Sequence, residues 1–157
     1  MLNFHFLQYT LFFFIPAILL CIKLKRWIGF FILVSNFVCS FIVHRINRKE
    51  ESELCDYCDN YAIYLWIFYN IYLVVKITSN LKTNKNIIIL CFIILSLCSA
   101  YLTYYYNKRR LIIGKWRSKE RNINHGLMHF FGGIGTLFLL LAINKIDKKC
   151  SIKLVSI

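Results

Sequence analysis

The chain has 157 residues, a formal net charge of +13 and a hydrophobic share of 59 %, with a mean hydropathy of +0.57. This hydrophobic share exceeds that of an ordinary soluble domain, and the charged residues lie between apolar runs rather than within them. The layout predicts an all-α fold, a multi-span bundle of transmembrane helices in a single integral-membrane domain. Because the lysines and arginines flank the apolar runs, we expect them to meet lipid headgroups and expect no nucleic-acid partner.

Five apolar runs are predicted to be membrane spans. They cover residues 4–22, 27–44, 59–77, 86–106 and 125–143. The first run has no basic segment before it and contains Pro16, so we interpret it as a retained span and not as a signal peptide. The basic residues are shared equally between the two sides of a five-span bundle, so the positive-inside rule assigns no orientation.

The second run ends in two polar residues that share one helix face. Ser40 and His44 are four residues apart, which places them one turn apart on the same side of a helix. Each also has an ordinary structural explanation, since a serine hydroxyl in a span often bonds to its own helix and a histidine has a polar tip that suits the interface. Whether Ser40 and His44 belong to a functional site therefore depends on which residues of the other spans lie near them.

The mixed segment 45–58 is predicted to be a loop that leads into the third run. It contains Cys55 and Cys58, for which a disulfide or two free thiols are better explanations than a metal site, because a zinc ribbon needs a second such pair. Asp59 follows and is predicted to lie at the mouth of the third helix. Its position also suits an N-cap, since aspartate is among the best N-cap residues.

The last run begins with two histidines that follow the most basic segment of the chain. His125 and His129 are four residues apart, so both imidazole rings are predicted to point the same way, as in sites where two histidines of one helix bind one metal ion. The following stretch 130–143 carries no charge, and its three glycines are predicted to allow close helix contact. A histidine pair at the edge of such a helix is costly unless it has a function.

Spans that alternate in direction bring these polar residues to one side of the membrane. The second span ends on the face where the third and the fifth begin, so His44, Asp59 and the final histidine pair are predicted to share a level. Three imidazoles leave a fourth zinc position open, which is the pattern of catalytic zinc sites. A carboxylate can orient water or move its proton, and a serine hydroxyl can bond a developing oxyanion. We therefore predict a Zn²⁺ site held by His44, His125 and His129, with Ser40 and Asp59 as catalytic residues.

These motifs resemble those of a known superfamily of membrane proteins. Ser40-x-x-x-His44 at the end of one span, Asp59 opening the next and His125-x-x-x-His129 opening the last are similar to the pattern of the alkaline ceramidase and progestin/adipoQ receptor superfamily. That superfamily also includes GPI-lipid-remodelling proteins and the myomaker-like branch, whose last span the segment from His125 resembles. The resemblance covers three short patches. It implies a zinc ion held by three histidines beside an aspartate and a serine, and the hydrolysis of lipid amides or esters.

The chain departs from the superfamily pattern in two respects. Five spans are predicted where members usually have seven, so two spans between the aspartate and the final histidine pair are missing. The loss of an even number of spans keeps the histidines on one face. In addition, Asp56 is an alternative to Asp59 as the acid that matches the motif.

Two functions follow from this pattern. The first is a zinc-dependent hydrolase that acts on a membrane lipid. The second is a non-enzymatic multi-pass protein with the same bundle, which acts in fusion, membrane organisation or partner binding and in which any zinc is structural. A transporter would need a polar path across the bilayer, whereas the mid-span positions are apolar apart from Ser35, Asn36, Ser96 and Ser99. The substrate, the organelle and the oligomeric state are not predicted.

Overall fold

The computed structural model describes residues 10–45, 52–81, 87–113 and 119–155, and the regular structure of these residues is entirely helical. A short 3-10 turn and five α-helices follow one another along the chain. They are the turn Phe12–Phe14, α1 (Ile15–Lys23), α2 (Trp27–Arg45), α3 (Ser52–Leu81), α4 (Ile87–Ile113) and α5 (Lys119–Val155). The prediction of an all-α bundle is confirmed, with one α-helix for each of the five apolar runs.

Three helices in the described ranges are long and apolar enough to cross a membrane. Their apolar windows are Tyr61–Asn80 in α3, Ile87–Arg109 in α4 and Ile123–Asp147 in α5. The apolar stretches Phe12–Lys23 and Trp27–Ile42 are shorter. The regular part of α1 begins beside Pro16, which fits a first turn because proline has no N–H to pair. Residues 4–9 of the first predicted run lie outside the described residues. By length and composition, three spans are thus supported where five were predicted.

The central element of the bundle is α5. Within its apolar window 61 % of the residues are buried, against 22 % in α3 and 17 % in α4. Its most extensive neighbour is α4, which runs antiparallel to it. Two ring contacts fix this direction, because Phe92 stacks on Phe138 and Tyr106 stacks on Phe131. A helix covered in this way holds its side chains in fixed positions, so α5 is the element best placed to support a site.

The third helix packs on α5 in the parallel direction. Trp66 lies against Gly132, and Asn70 accepts a hydrogen bond from Thr136 one turn further along both helices. Within the described ranges α3 and α4 both pack on α5 but have no extensive contact with each other. A groove therefore remains between α3 and α4.

Glycines allow the closest approaches to α5. A Cβ built on Gly133 would lie 2.8 Å from the backbone oxygen of Phe13, and one built on Gly135 would lie 3.2 Å from the Cβ of Ser99. The 3-10 turn therefore rests on bare backbone at Gly133, and α4 approaches α5 closely at Gly135. Small residues serve this purpose wherever helices pack inside a membrane.

The start of α3 differs from the boundary expected from the sequence. The helix begins at Ser52, so Asp59 lies within it, and the interpretation of Asp59 as an N-cap at the helix mouth is wrong. The predicted loop 45–58 is correspondingly shorter. Cys58 is a free, exposed thiol on this first part of α3.

The last two helices also extend beyond their apolar runs. α4 continues to Ile113, and α5 runs from Lys119 to Val155. His125 therefore lies in the second turn of its helix and not at its start. Lysine, arginine and glutamate are good helix formers. A helix can therefore continue beyond the end of its apolar segment.

An ion pair joins the end of α5 to the turn between α1 and α2. The Arg26 guanidinium donates to the Asp147 carboxylate, and Arg26 directly precedes α2. Further along, Asn36 of α2 lines the same cavity as Thr136 of α5. The start of α2 thus lies beside the end of α5, and the two helices run in opposite directions.

Candidate functional site

The two histidines of α5 lie side by side, as their four-residue spacing predicts. The imidazole centroids of His125 and His129 are 4.7 Å apart, and the ring planes are 26° from parallel. His129 is 3 % exposed, whereas His125 is half-buried. The rings of Phe14 and His129 pack edge to face, with their centroids 6.2 Å apart. This contact restricts the orientation of the His129 ring.

Ser40 is the other predicted site residue whose side chain the structure describes. It is fully buried and lies one turn before His44 in α2. The side chains of His44, Asp59 and the alternative acid Asp56 lie outside the described residues, although the helices that carry them are described. The structure therefore describes two of the three predicted zinc ligands and one of the two predicted catalytic residues.

The lengths of α2 and α5 bring His44 to the depth of the histidine pair. The ion pair between Arg26 and Asp147 marks one end of both helices. Eighteen residues separate Arg26 from His44, and eighteen separate His129 from Asp147. At about 1.5 Å per residue each stretch covers about 27 Å of helix, so the backbones of His44 and His129 lie at a similar depth in the bundle.

A second alignment relates α3 to α5. The hydrogen-bonded residues Asn70 and Thr136 are 66 positions apart in the sequence, and Asp59 and His125 have the same separation. Because α3 and α5 run parallel, equal steps toward the histidine end keep the two backbones level. Each step covers eleven residues, or about 16 Å of helix. The backbones of Asp59 and His125 therefore also lie at a similar depth.

The donor chemistry at this level fits a zinc ion in part. Two imidazoles on one helix face, one of them almost fully buried, are the kind of ligands that zinc binds. Among the side chains that the structure describes, no group of three or more His, Cys, Asp or Glu residues could hold a metal ion. The third predicted ligand, His44, is outside those side chains. The three-histidine Zn²⁺ site stays a prediction.

A buried hydrogen-bond network that the sequence analysis did not predict lies deeper in the bundle. Trp66 Nε1 donates to the Thr136 hydroxyl at 2.8 Å. That hydroxyl is 3.0 Å from both its possible acceptors, Asn70 Oδ1 and the Gly132 carbonyl oxygen. Asn70 Nδ2 in turn donates to the Trp66 carbonyl oxygen at 2.8 Å. The signal in the sequence was the presence of Asn70 and Thr136 inside apolar runs, because polar groups there need partners.

A cavity of about 460 Å³ occupies the space between α3 and α4, with α5 as its floor. We call it the α3–α4 groove. Its walls are formed by Phe14, Asn36, Ile63, Trp66, Ile67, Asn70, Ile71, Val74, Val75, Ser96, Ala100, Thr103, Tyr104, Asn107, Met128, His129, Phe131, Gly132, Gly135, Thr136 and Leu139. The volume is within the range of roughly 300–1,000 Å³ that is usual for ligand sites. The groove is mainly apolar, and His129 connects it to the histidine pair.

Comparison with protein-family models, with curated proteins and with solved structures found no match for this chain.

Proposed function

We propose that the chain is a multi-pass membrane protein that hydrolyses lipid amide or ester bonds with the help of a zinc ion. One observation carries the proposal. The imidazoles of His125 and His129 lie side by side, and His129 also forms part of the wall of an apolar groove. A site of this kind brings metal-binding side chains next to a space suited to a hydrocarbon chain. The resemblance of the motifs to the alkaline ceramidase and progestin/adipoQ receptor superfamily supports the same reading.

Each predicted site residue has a role in this proposal. His44, His125 and His129 would hold the zinc ion, which when bound would supply Lewis-acid activation of a water molecule. The Asp59 carboxylate would take a proton from the attacking water and pass it to the leaving amine or alcohol. The Ser40 hydroxyl would donate a hydrogen bond to the carbonyl oxygen as negative charge develops there. The carbonyl carbon gains the oxygen of water and loses its bond to nitrogen or oxygen, so a fatty acid is released.

The surroundings of the groove suit a substrate that comes from the bilayer. The outer faces of α3 and α4 expose large apolar side chains, among them Phe68 (67 % exposed) and Leu97 (58 % exposed). Contiguous exposed apolar surface is typical of contact with a membrane. Because the described parts of α3 and α4 do not pack extensively on each other, a lipid chain would reach the groove sideways between them.

The proposal is tested with purified full-length protein and two substrates, a long-chain N-acyl amide and the matched ester. We expect hydrolysis of at least one of them by the wild type and a fall to background in His125→Ala. The matched control is His5→Ala, which removes the one histidine that the proposed site does not use; residue 5 lies outside the described residues. Equal turnover by wild type and His125→Ala would overturn the proposal. A wild type that binds zinc but hydrolyses neither substrate would favour the non-enzymatic bundle.

A further inference from the structure

We infer that the α3–α4 groove binds a long-chain amphiphile whose hydrocarbon chain carries a hydroxyl group, and that Asn36 accepts a hydrogen bond from this hydroxyl. The inference rests on the proposed function for the identity of the ligand's reacting end. It adds a statement about the ligand's hydrocarbon chain. It is carried by the cavity and by one buried polar group inside it, neither of which depends on zinc.

Asn36 is a buried polar residue in the lining of the groove. Its side chain is 1 % exposed and lines the cavity, and its Oδ1 has no hydrogen-bond partner in the part of the chain that the structure describes. A buried acceptor without a partner is unfavourable, because it has lost its hydrogen bond to water and gained none in return. Other polar side chains of the groove are paired, since Thr103 donates to the Ser99 carbonyl oxygen and Thr136 takes part in the network with Trp66. Asn36 is therefore a group of the groove whose hydrogen bond a ligand could supply.

The position of Asn36 indicates where on the ligand the hydrogen-bond donor lies. The donor belongs to the hydrocarbon chain and not to the reacting end. Asn36 lies eight residues before His44 in α2, which is about 12 Å of helix. The amide oxygen of Asn107 also lacks a partner among the described residues, but Asn107 is only half-buried. It lines the groove together with Met128 and His129. A donor for Asn36 must lie well inside the apolar part.

The length of the groove suits a single hydrocarbon chain. On α3 its lining runs from Ile63 to Val75, twelve residues or about 18 Å of helix. One lipid chain covers about half of the roughly 30 Å hydrocarbon core. With one end of the ligand at His129, Asn36 lies about 12 Å along the groove of about 18 Å, well away from the reacting end. A hydroxyl is the donor that fits there, because a charged donor would be far more costly to place in an apolar environment.

The test is a competition between stearate and stearate that carries a hydroxyl near the middle of its chain. Both are offered in equal amounts to the detergent-purified full-length protein, and the bound species are counted by native mass spectrometry. We expect about a fivefold preference for the hydroxylated acid, which corresponds to one net hydrogen bond. Asn36→Leu should abolish the preference and raise the melting temperature, because it removes an unsatisfied acceptor. Ser96→Ala, which changes another buried polar residue of the groove, should keep the preference.

Two results would overturn the inference, namely equal binding of both acids to the wild type or an unchanged preference in Asn36→Leu. The wild-type comparison decides the matter even where a variant does not fold. The assay needs neither metal nor turnover, so it is separate from the test of hydrolysis. A preference for the hydroxylated acid in a protein that binds no zinc would support the inference about the groove and count against the proposed hydrolase. Zinc-dependent turnover without this preference would support the hydrolase and count against the inference.

Discussion

Thr136 is the residue on which the buried hydrogen bonds of the bundle converge. Its hydroxyl accepts from Trp66 Nε1 and is within donating distance of Asn70 Oδ1, and the side chain is 1 % exposed. These contacts connect α3 to α5 two turns from the histidine pair. Because polar groups inside a membrane bundle need partners within the protein, the three side chains stabilise one another.

We predict that Thr136→Val lowers the free energy of unfolding by about 1–2 kcal/mol, because a substitution of similar shape leaves Trp66 Nε1 without an acceptor. Unfolding in mixed detergent micelles measures the change. Thr103→Val is the matched control, since the Thr103 hydroxyl donates to a carbonyl oxygen of its own helix. It should change the stability by a few tenths of a kcal/mol. Equal losses in the two variants would show that the network does not connect the helices.

Spacing along the chain predicts which residues share a face, but not which of them have partners. His125 and His129 lie together because the helix repeat brings them together. Asn36 shares its face with Ser40 and His44 for the same reason, four and eight residues apart. That the Asn36 oxygen has no partner among the described residues depends on how α2 lies against its neighbours, which no local pattern contains.

At the scale of the helix, the glycines of α5 determine how closely its neighbours approach. At Gly133 the neighbour is the backbone of the 3-10 turn, and at Gly135 it is the Cβ of Ser99 and the backbone of α4. Neither contact can be relieved by a side-chain rotation, because a Cβ is fixed to its own backbone, so the contact distance decides: 2.8 Å at Gly133 and 3.2 Å at Gly135. The two positions therefore differ in how much an added methyl group should cost.

We predict that Gly133→Ala destabilises the protein by about 1–2 kcal/mol, the cost of overpacking less the gain in helix propensity. At Gly135 the contact distance is longer, so Gly135→Ala should be nearly neutral, with the two effects close to balance. Melting temperatures of the two variants, compared with the wild type in the same detergent, measure the difference. A Gly133→Ala variant at least as stable as Gly135→Ala would contradict the close packing of the turn on α5.

Apolar runs predicted the number of helices but not their ends. α3 begins seven residues before Asp59, and α5 begins six residues before His125. The acidic residues Glu51 and Glu53 stand near the start of α3, and such residues are favourable at a helix N-terminus. A helix boundary predicted from hydropathy alone misses this signal. Hydropathy indicates where the apolar segment begins and not where the hydrogen-bonded helix begins.

At the scale of the molecule, one ion pair fixes the register on which the depth of the site depends. Arg26 has 14 % of its side chain exposed and Asp147 has 50 %, so solvent weakens the pair and its contribution is about 1 kcal/mol or less. We predict that Asp147→Arg lowers the melting temperature and that the double variant Arg26→Asp/Asp147→Arg recovers part of the loss. Thermal unfolding of the wild type, the single variants Arg26→Asp and Asp147→Arg, and the double variant in one detergent measures this. Additive losses in the double variant would mean that the two residues do not meet.

The direction of each helix could be predicted from alternation alone, whereas the lateral arrangement could not. Alternation is enough to bring the end of α2 and the starts of α3 and α5 to one level. The separation of α3 from α4, and hence the groove, follows from side-chain packing on α5 at Trp66, Phe92 and Tyr106. Packing of this kind is set by shape complementarity across helices and leaves no simple period in the sequence.

The central claim is that histidines from two helices hold one zinc ion beside an apolar groove. The most direct measurement is the zinc content of the detergent-purified protein, for the wild type and for His125→Ala/His129→Ala, with the fold of both checked by circular dichroism. The account predicts about one zinc per chain in the wild type and none in the folded double variant. A folded wild type without zinc, or a double variant that keeps it, would contradict the account.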